Sequence, residues 1–174
     1  MKKKILIVSF GQIEKGIVDK ISYPISRRFG VKTENFGQMP IPWIAKRDSQ
    51  FKASDFLAAE KEILENNPAE AVLGICEKDL YAPNLNFIFG LASPKDQAAI
   101  VSSARLLDDN KKLFFERIKK EAIHEIGHLF GLDHCQDRLC AMSFSNNLAD
   151  VDFKKSALCP NCQKLAEKNV KKIS

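Results

Sequence analysis

Short apolar runs alternate along this chain with longer segments in which apolar residues recur every three or four positions. The runs predict buried β-strands, and the recurring spacing predicts amphipathic helices. Five strands are predicted, at ILIVSF (5–10), VKTENF (31–36), AVLGICEKDL (71–80), NFIFGLAS (86–93) and AAIVSSARL (98–106). Helices are predicted over residues 12–29 and 53–66, and the proline-containing segment 37–53 is expected to be an irregular connection.

The order of these elements predicts the fold class. Strand, helix, strand, helix, strand is typical of an α/β fold with a twisted, parallel sheet and right-handed crossovers. Only Pro94 to Gln97 separate the last two strands. That connection is too short for a parallel crossover, so we expect a mostly parallel five-stranded sheet with one antiparallel strand. Within the helices, Pro24 is tolerated only as a kink or an end, and Ser54 is a candidate N-cap.

A third helix, over residues 111–130, has the strongest pattern. An apolar stripe predicts packing on the sheet, and its members are Phe115, Ile118, Ala122, Ile126 and Leu129. The opposite side carries polar residues, which are Arg117, Glu121, His124 and His128. We expect both histidines to face a cleft. Gly131 is placed to end the helix as a left-handed C′ residue.

Length and composition indicate one domain over residues 1–174, with an N-terminal α/β part (1–131) and a C-terminal part (132–174). No apolar run approaches the roughly 18 residues of a membrane-spanning helix. The opening MKKKILIVSF resembles a signal peptide only briefly, because its apolar run is too short, so we expect a first strand and a cytoplasmic protein. The net charge is +5, but the lysines are scattered, and no nucleic-acid partner is expected.

All three histidines of the chain lie in HEIGHLFGLDH, residues 124–134. His124 and His128 are four residues apart on a helix, so both imidazoles can bind one metal ion, and Glu125 lies where it can hold a water. After Gly131 the chain can turn and return His134 as a third ligand. Three neutral imidazoles leave one position of a zinc ion open, which is typical of a catalytic site.

Four of the five cysteines lie close together in the sequence as two pairs, Cys135 with Cys140 and Cys159 with Cys162. Each pair can supply two thiolates from a tight loop, and four thiolates complete a closed, structural zinc site. Disulfides, plain core cysteines and a redox motif are the alternatives. The fifth, Cys76, lies in an apolar run and is interpreted as a buried small hydrophobic residue.

The histidine motif, together with Cys135-x4-Cys140-Ala-Met142 and Cys159-x2-Cys162, resembles the archaemetzincins, a branch of the metzincin zinc metallopeptidases. The resemblance covers about residues 71–165. It implies a metzincin-like fold with an active-site helix and a small helical C-terminal part braced by zinc. It further implies catalytic zinc on the three histidines, Glu125 as the general base, a second zinc on the four cysteines, and Met142 in a tight turn beneath the catalytic metal.

The function that follows is hydrolysis of peptide bonds, expected mainly in short peptides, by a monomer that binds two Zn²⁺ ions per chain. The strand near Phe87–Ala92 is expected to bind extended peptide along the cleft. The alternative is a non-catalytic, zinc-stabilised peptide-binding protein with a vestigial active site. A zinc-ribbon-like nucleic-acid module using Lys168–Lys172 is a third possibility, and the absence of interleaved aromatic residues argues against it.

Overall fold

The structure, a computed structural model, describes residues 3–172, in which eight strands and five helices are formed. The strands are β1 (Lys4–Phe10), β2 (Lys32–Met39), β3 (Lys46–Arg47), β4 (Gln50–Lys52), β5 (Ala71–Cys76), β6 (Leu80–Tyr81), β7 (Gly90–Ser93) and β8 (Ala98–Ser102). The helices are α1 (Ile17–Phe29), α2 (Ala53–Asn66), α3 (Lys111–Leu129), α4 (Leu148–Phe153) and α5 (Pro160–Val170).

The main sheet has five strands in the order β2-β1-β5-β8-β7. The first four run parallel, and β7 pairs antiparallel with β8 at the edge. The predicted fold class is therefore confirmed, including the antiparallel strand that the four-residue connection requires.

Helices cover both faces of the sheet, which is why its central strands are buried on both sides. In β1, Ile5 and Ile7 point into the core shared with α1 and α3. Leu6 and Val8 point into the second core, which α2 covers. The candidate site belongs to the first of these layers, because α3 carries it.

Several predicted boundaries were wrong. The first helix begins at Ile17 rather than at residue 12. Pro24 lies inside it and not at its end, which was one of the two positions expected. Lys52, with extended backbone, precedes the second helix, so Ser54 lies in its first turn and is not the N-cap. The segment expected to be irregular contains β3 and β4, which form a small second sheet with β6 in the order β3-β4-β6.

Three predicted strands were too long. The run 98–106 is a strand only over β8, which ends at Ser102. The run 71–80 divides into β5 and β6, which belong to different sheets. The run 86–93 is a strand only over β7, and its earlier part forms an irregular segment with one isolated bridge, between Leu80 and Ile88. Length was misjudged because an apolar run continues into a buried loop as readily as along a strand. No helix within residues 3–172 combines the length and the apolarity needed to cross a membrane.

The third helix packs on the core as expected, but it is more deeply buried than its pattern predicted. Phe114 rather than Phe115 is fully buried in the stripe. The polar side does not face open solvent along its length, since Arg117 and Glu121 are also buried. The chain after residue 140 contacts Arg117 and Glu121. Both histidines face a cleft, as expected, and Glu121 also lines it.

Candidate active site

Helix α3 brings His124 and His128 together one turn apart, with ring centroids separated by 4.6 Å. Beyond the helix, Gly131 adopts a left-handed φ of 74°, a conformation that costs glycine little. The chain then reverses and places the His134 ring 5.3 Å from that of His124. One nitrogen of each ring lies within 4.8 Å of the others, so the three histidines form one candidate metal site.

The hydrogen bonds of two rings fix which nitrogens face the site. His124 Nδ1 lies 2.8 Å from the carbonyl oxygen of Ala141, and His128 Nδ1 lies 2.7 Å from that of Leu132. A carbonyl oxygen only accepts, so each Nδ1 carries the proton and donates it. Both Nε2 atoms are then unprotonated, and they face each other at 3.0 Å. Two lone pairs at this distance repel unless a cation lies between them, so the donor set fits a metal ion.

Burial keeps these rings in the form that binds metal. It lowers the pKa of His124, His128 and His134, and the positive charge of Lys154 contributes to the lowering for His124. A lowered pKa favours the neutral imidazole at physiological pH, and a neutral imidazole is required of a zinc ligand.

Glu125 lies beside the histidines and lines the same cleft. Its pKa is raised well above the usual value, first by burial and then by the negative charge of Glu121. Strand β7 approaches this carboxyl group closely at Gly90. A Cβ atom added there would lie 2.6 Å from Glu125 Oε1, so only glycine fits without displacing the carboxyl group.

Two ion pairs fix the polar side of α3 against the C-terminal part. Glu121 contacts Lys154 at 2.8 Å, and both side chains are almost completely buried. Arg117 donates two hydrogen bonds to Asp152, of 2.7 and 2.8 Å. The motif did not reveal these partners, because Lys154 and Asp152 lie about thirty residues further along the chain and carry no distinctive spacing.

Met142 lies fully buried against Gly127 of α3, the residue that precedes His128. A Cβ atom at residue 127 would approach Met142 Sδ to 2.2 Å, so this glycine lets the methionine approach the helix. Sequence reasoning placed Met142 near the metal but missed Gly127, although it stands inside the motif HEIGH. Gly127 could have been recognised in the sequence because it lies in the interior of a predicted helix, where glycine is unfavourable unless it has a packing role.

The four clustered cysteines meet at a second point, with all four sulfur atoms within 4.8 Å of one another. Cys135 Sγ and Cys159 Sγ are 3.8 Å apart, which is too far for a disulfide, and all five cysteines are free. Zinc–sulfur bonds of about 2.3 Å place neighbouring sulfurs about 3.8 Å apart in a tetrahedron. The geometry therefore fits a four-thiolate zinc site. Cys76 is fully buried in the sheet, as predicted.

The histidines open onto a cleft of about 440 Å³. One wall is the segment 82–92, which ends in β7, and His134 and Phe144 lie opposite it. β7 is an edge strand, so the side of it that faces away from β8 has no strand neighbour among residues 3–172.

A three-histidine site, an adjacent glutamate and an open cleft below an edge strand together define a zinc metallopeptidase. Comparison with known proteins identifies the family. The sequence model of peptidase family M54 matches residues 43–168. The chain belongs to this family, which is that of the archaemetzincins.

Individual relatives of known sequence or structure support the same family assignment. An archaemetzincin from Methanopyrus kandleri is 39% identical and covers 97% of this chain and 98% of its own. Its crystal structure superposes with a TM-score of 0.90 over 98% of this chain and 96% of its own. An archaemetzincin from Pyrococcus furiosus is 37% identical over 97% of this chain and 95% of its own. A zinc-dependent peptidase from Methanocorpusculum labreanum, 26% identical, has a TM-score of 0.82 over 93% of this chain and 99% of its own.

Proposed function

We propose that His124, His128 and His134 hold one zinc ion and that Glu125 is the general base in peptide-bond hydrolysis. The observation that carries this proposal is the pair of unprotonated Nε2 atoms facing each other at 3.0 Å. Zinc held there supplies a Lewis acid that polarises the scissile carbonyl and acidifies water. Membership of a peptidase family favours this function over a non-catalytic peptide-binding protein.

Glu125 performs the proton transfer in this proposal. Its carboxylate accepts a proton from the attacking water and then donates it to the nitrogen of the departing amine. Its position supports the role, since it lines the cleft between α3 and β7. Gly90 keeps space beside the carboxyl group, where an alanine would displace it.

The substrate proposed is a short, extended peptide. Within residues 3–172 one edge of β7 has no strand partner, so it can form main-chain hydrogen bonds with one more strand. The cleft is about 440 Å³ in volume, within the range of roughly 300–1,000 Å³ that is typical of sites for small ligands, so it suits a short peptide segment.

The second zinc ion is proposed to lie between Cys135, Cys140, Cys159 and Cys162, in a structural role. It is expected to organise the first site, because its ligands alternate with residues of that site along the chain. Cys135 follows His134 directly, and Cys140 precedes Ala141, whose carbonyl oxygen accepts from His124. The amide of Cys135 also donates to the carbonyl oxygen of Met142 at 2.9 Å.

The catalytic role is tested with Glu125→Gln. Gln cannot accept the proton, so cleavage of a peptide library should fall by about 10²-fold or more while zinc content stays at the wild-type value. Retained cleavage in this variant would remove Glu125 from the mechanism. Cleavage absent from the wild-type protein with both metals bound would instead contradict the peptidase function.

The structural zinc is tested with Cys162→Ser and compared with His128→Ala. Metal analysis should find two zinc ions in the wild type. His128→Ala should lose one ion and keep its fold, whereas Cys162→Ser should lower the thermal midpoint and also weaken metal binding at the histidines. If Cys162→Ser unfolds no more easily and keeps the histidine metal, the two sites are independent.

We retain the monomeric state, the cytoplasmic location, the single domain and the absence of a nucleic-acid partner as predictions.

A further inference from the structure

One wall of the cleft is an irregular segment, residues 82–89, which joins β6 to β7. It exposes apolar side chains to the cleft, and the lining residues are Leu85, Phe87, Ile88 and Phe89. Leu85 is 48% exposed, although it is a large apolar residue. Backbone hydrogen bonds to neighbouring strands fix only the end of the segment, where Ile88 donates to the carbonyl oxygen of Leu80 at 3.0 Å and Phe89 accepts from the amide of Ser102 at 2.8 Å. Residues 85 and 86 are held by side chains instead.

Arg47 of β3 contacts the backbone of this wall directly. Its Nη2 donates to the carbonyl oxygens of Leu85, at 2.9 Å, and of Asn86, at 3.0 Å. The Arg47 guanidinium also lies 4.3 Å from the centroid of the Tyr81 ring, which holds it in place. Gln50 of β4 adds a hydrogen bond of 2.8 Å to the same carbonyl oxygen of Asn86.

An ion pair between Arg105 and Asp79 supports the wall at Phe87. Arg105 donates to both carboxylate oxygens of Asp79, at 2.7 and 2.8 Å, and its guanidinium lies 4.2 Å from the centroid of the Phe87 ring. Gln50 joins the two parts, since it also donates to Asp79 at 3.2 Å. We call Arg47, Gln50, Asp79 and Arg105 the brace. None of the four lines the cleft.

We propose that the brace positions the apolar wall so that the wall contacts a large apolar side chain of the substrate, next to the scissile bond. The substrate class is then peptides with leucine, methionine or phenylalanine at that position. This inference rests on the proposed peptidase function and extends it to specificity. Leu85 and Phe87 would contact the substrate, whereas the brace would act only through them.

The expected kinetic signature follows from the distance between the brace and the chemistry. The candidate catalytic groups lie on α3 and after it, and no hydrogen bond joins them to Arg47 within residues 3–172. Loss of the brace should therefore weaken binding of the apolar side chain and leave the chemical step unchanged. In kinetic terms KM rises while kcat is retained.

The test uses Arg47→Gln and two peptides that differ only in leucine or alanine beside the cleaved bond. For the leucine peptide KM should rise about 5–10-fold, with kcat within about twofold, and the alanine peptide should change by less than about twofold. Arg47→Lys, which keeps a donor near the two carbonyls, should recover part of the loss. Arg27→Gln is the matched control, because Arg27 also lies over a surface tyrosine, Tyr23, and neither residue lines the cleft or contacts its wall.

Leu85→Ala provides an independent variant that removes the wall contact itself. It should lower the preference for the leucine peptide over the alanine peptide by a similar factor. If cleavage depends on Glu125 but both variants keep the wild-type preference, the brace proposal is wrong and the peptidase function stands. A uniform fall in kcat for both peptides would also overturn it, since that is the result of general loosening of the fold.

Discussion

Two buried acidic side chains, Glu121 and Glu60, lie on opposite faces of the main sheet in different surroundings. On the face covered by α3, Glu121 Oε1 lies 2.8 Å from the ammonium group of Lys154, an ion pair without the geometry of a hydrogen bond. On the face covered by α2, Glu60 is completely buried, and no hydrogen bond of good geometry reaches its two oxygens among residues 3–172. Burial accordingly raises the pKa of Glu60 well above its usual value.

The contrast indicates why Glu121 can stay charged in the protein interior whereas Glu60 is expected to be neutral. A buried carboxylate remains ionised only with a charged partner or strong hydrogen bonds, and otherwise takes up a proton. The pair formed by Glu121 and Lys154 joins α3 to the chain after Met142, and so it fixes two parts of the candidate site. Glu60 makes no such connection and is expected to be a neutral acid in the apolar core.

Breaking the pair should have the largest effect. Lys154→Met removes the cation and leaves Glu121 buried without its partner, as Glu60 is. We expect a loss of about 3–5 kcal/mol in the free energy of unfolding, measured by urea denaturation with zinc present.

The control is the double variant Glu121→Met with Lys154→Met, in which neither charge remains. It should recover most of the lost stability, because the cost lies in the unpaired charge rather than in the missing contact. A single variant that loses less than about 1 kcal/mol would indicate that water already reaches the pair.

Much of the fold and the site was predictable from local patterns. The sheet, its antiparallel edge and the histidine cluster follow from apolar runs, one short connection and a fixed spacing of ligands. The pairing of Lys154 with Glu121 was not predictable, since surface and buried lysines look alike in a sequence. The contacts of Arg47 with residues 85 and 86 were not predictable either, because they join segments that are far apart in the chain.

The pH dependence of stability should reveal Glu60. Its pKa is raised in the folded state, so folding takes up a proton at pH values between the unfolded pKa, about 4.3, and the folded one. The contribution of Glu60 to the free energy of unfolding is therefore greatest at low pH. It falls by about 1.4 kcal/mol per pH unit as the pH rises through that window. Glu60→Gln lacks this loss.

Denaturation of both proteins from pH 5 to pH 8 provides the measurement. The variant should gain stability relative to the wild type as pH rises. A difference that stays constant over this range would mean that Glu60 is ionised in the folded protein and has a partner, which would abolish the contrast between the two faces.

Gly127→Ala gives the smallest expected effect and examines the packing of the α3 face. Alanine favours a helix by about 0.5–1 kcal/mol over glycine, but its Cβ atom would lie 2.2 Å from Met142 Sδ. The displacement of a buried side chain costs about 1–3 kcal/mol, so we expect a net loss near 1 kcal/mol. In a Met142→Ala background the collision is absent, and the same change should stabilise the protein. Equal effects in the two backgrounds, measured by urea denaturation, would show that Gly127 is not there to admit Met142.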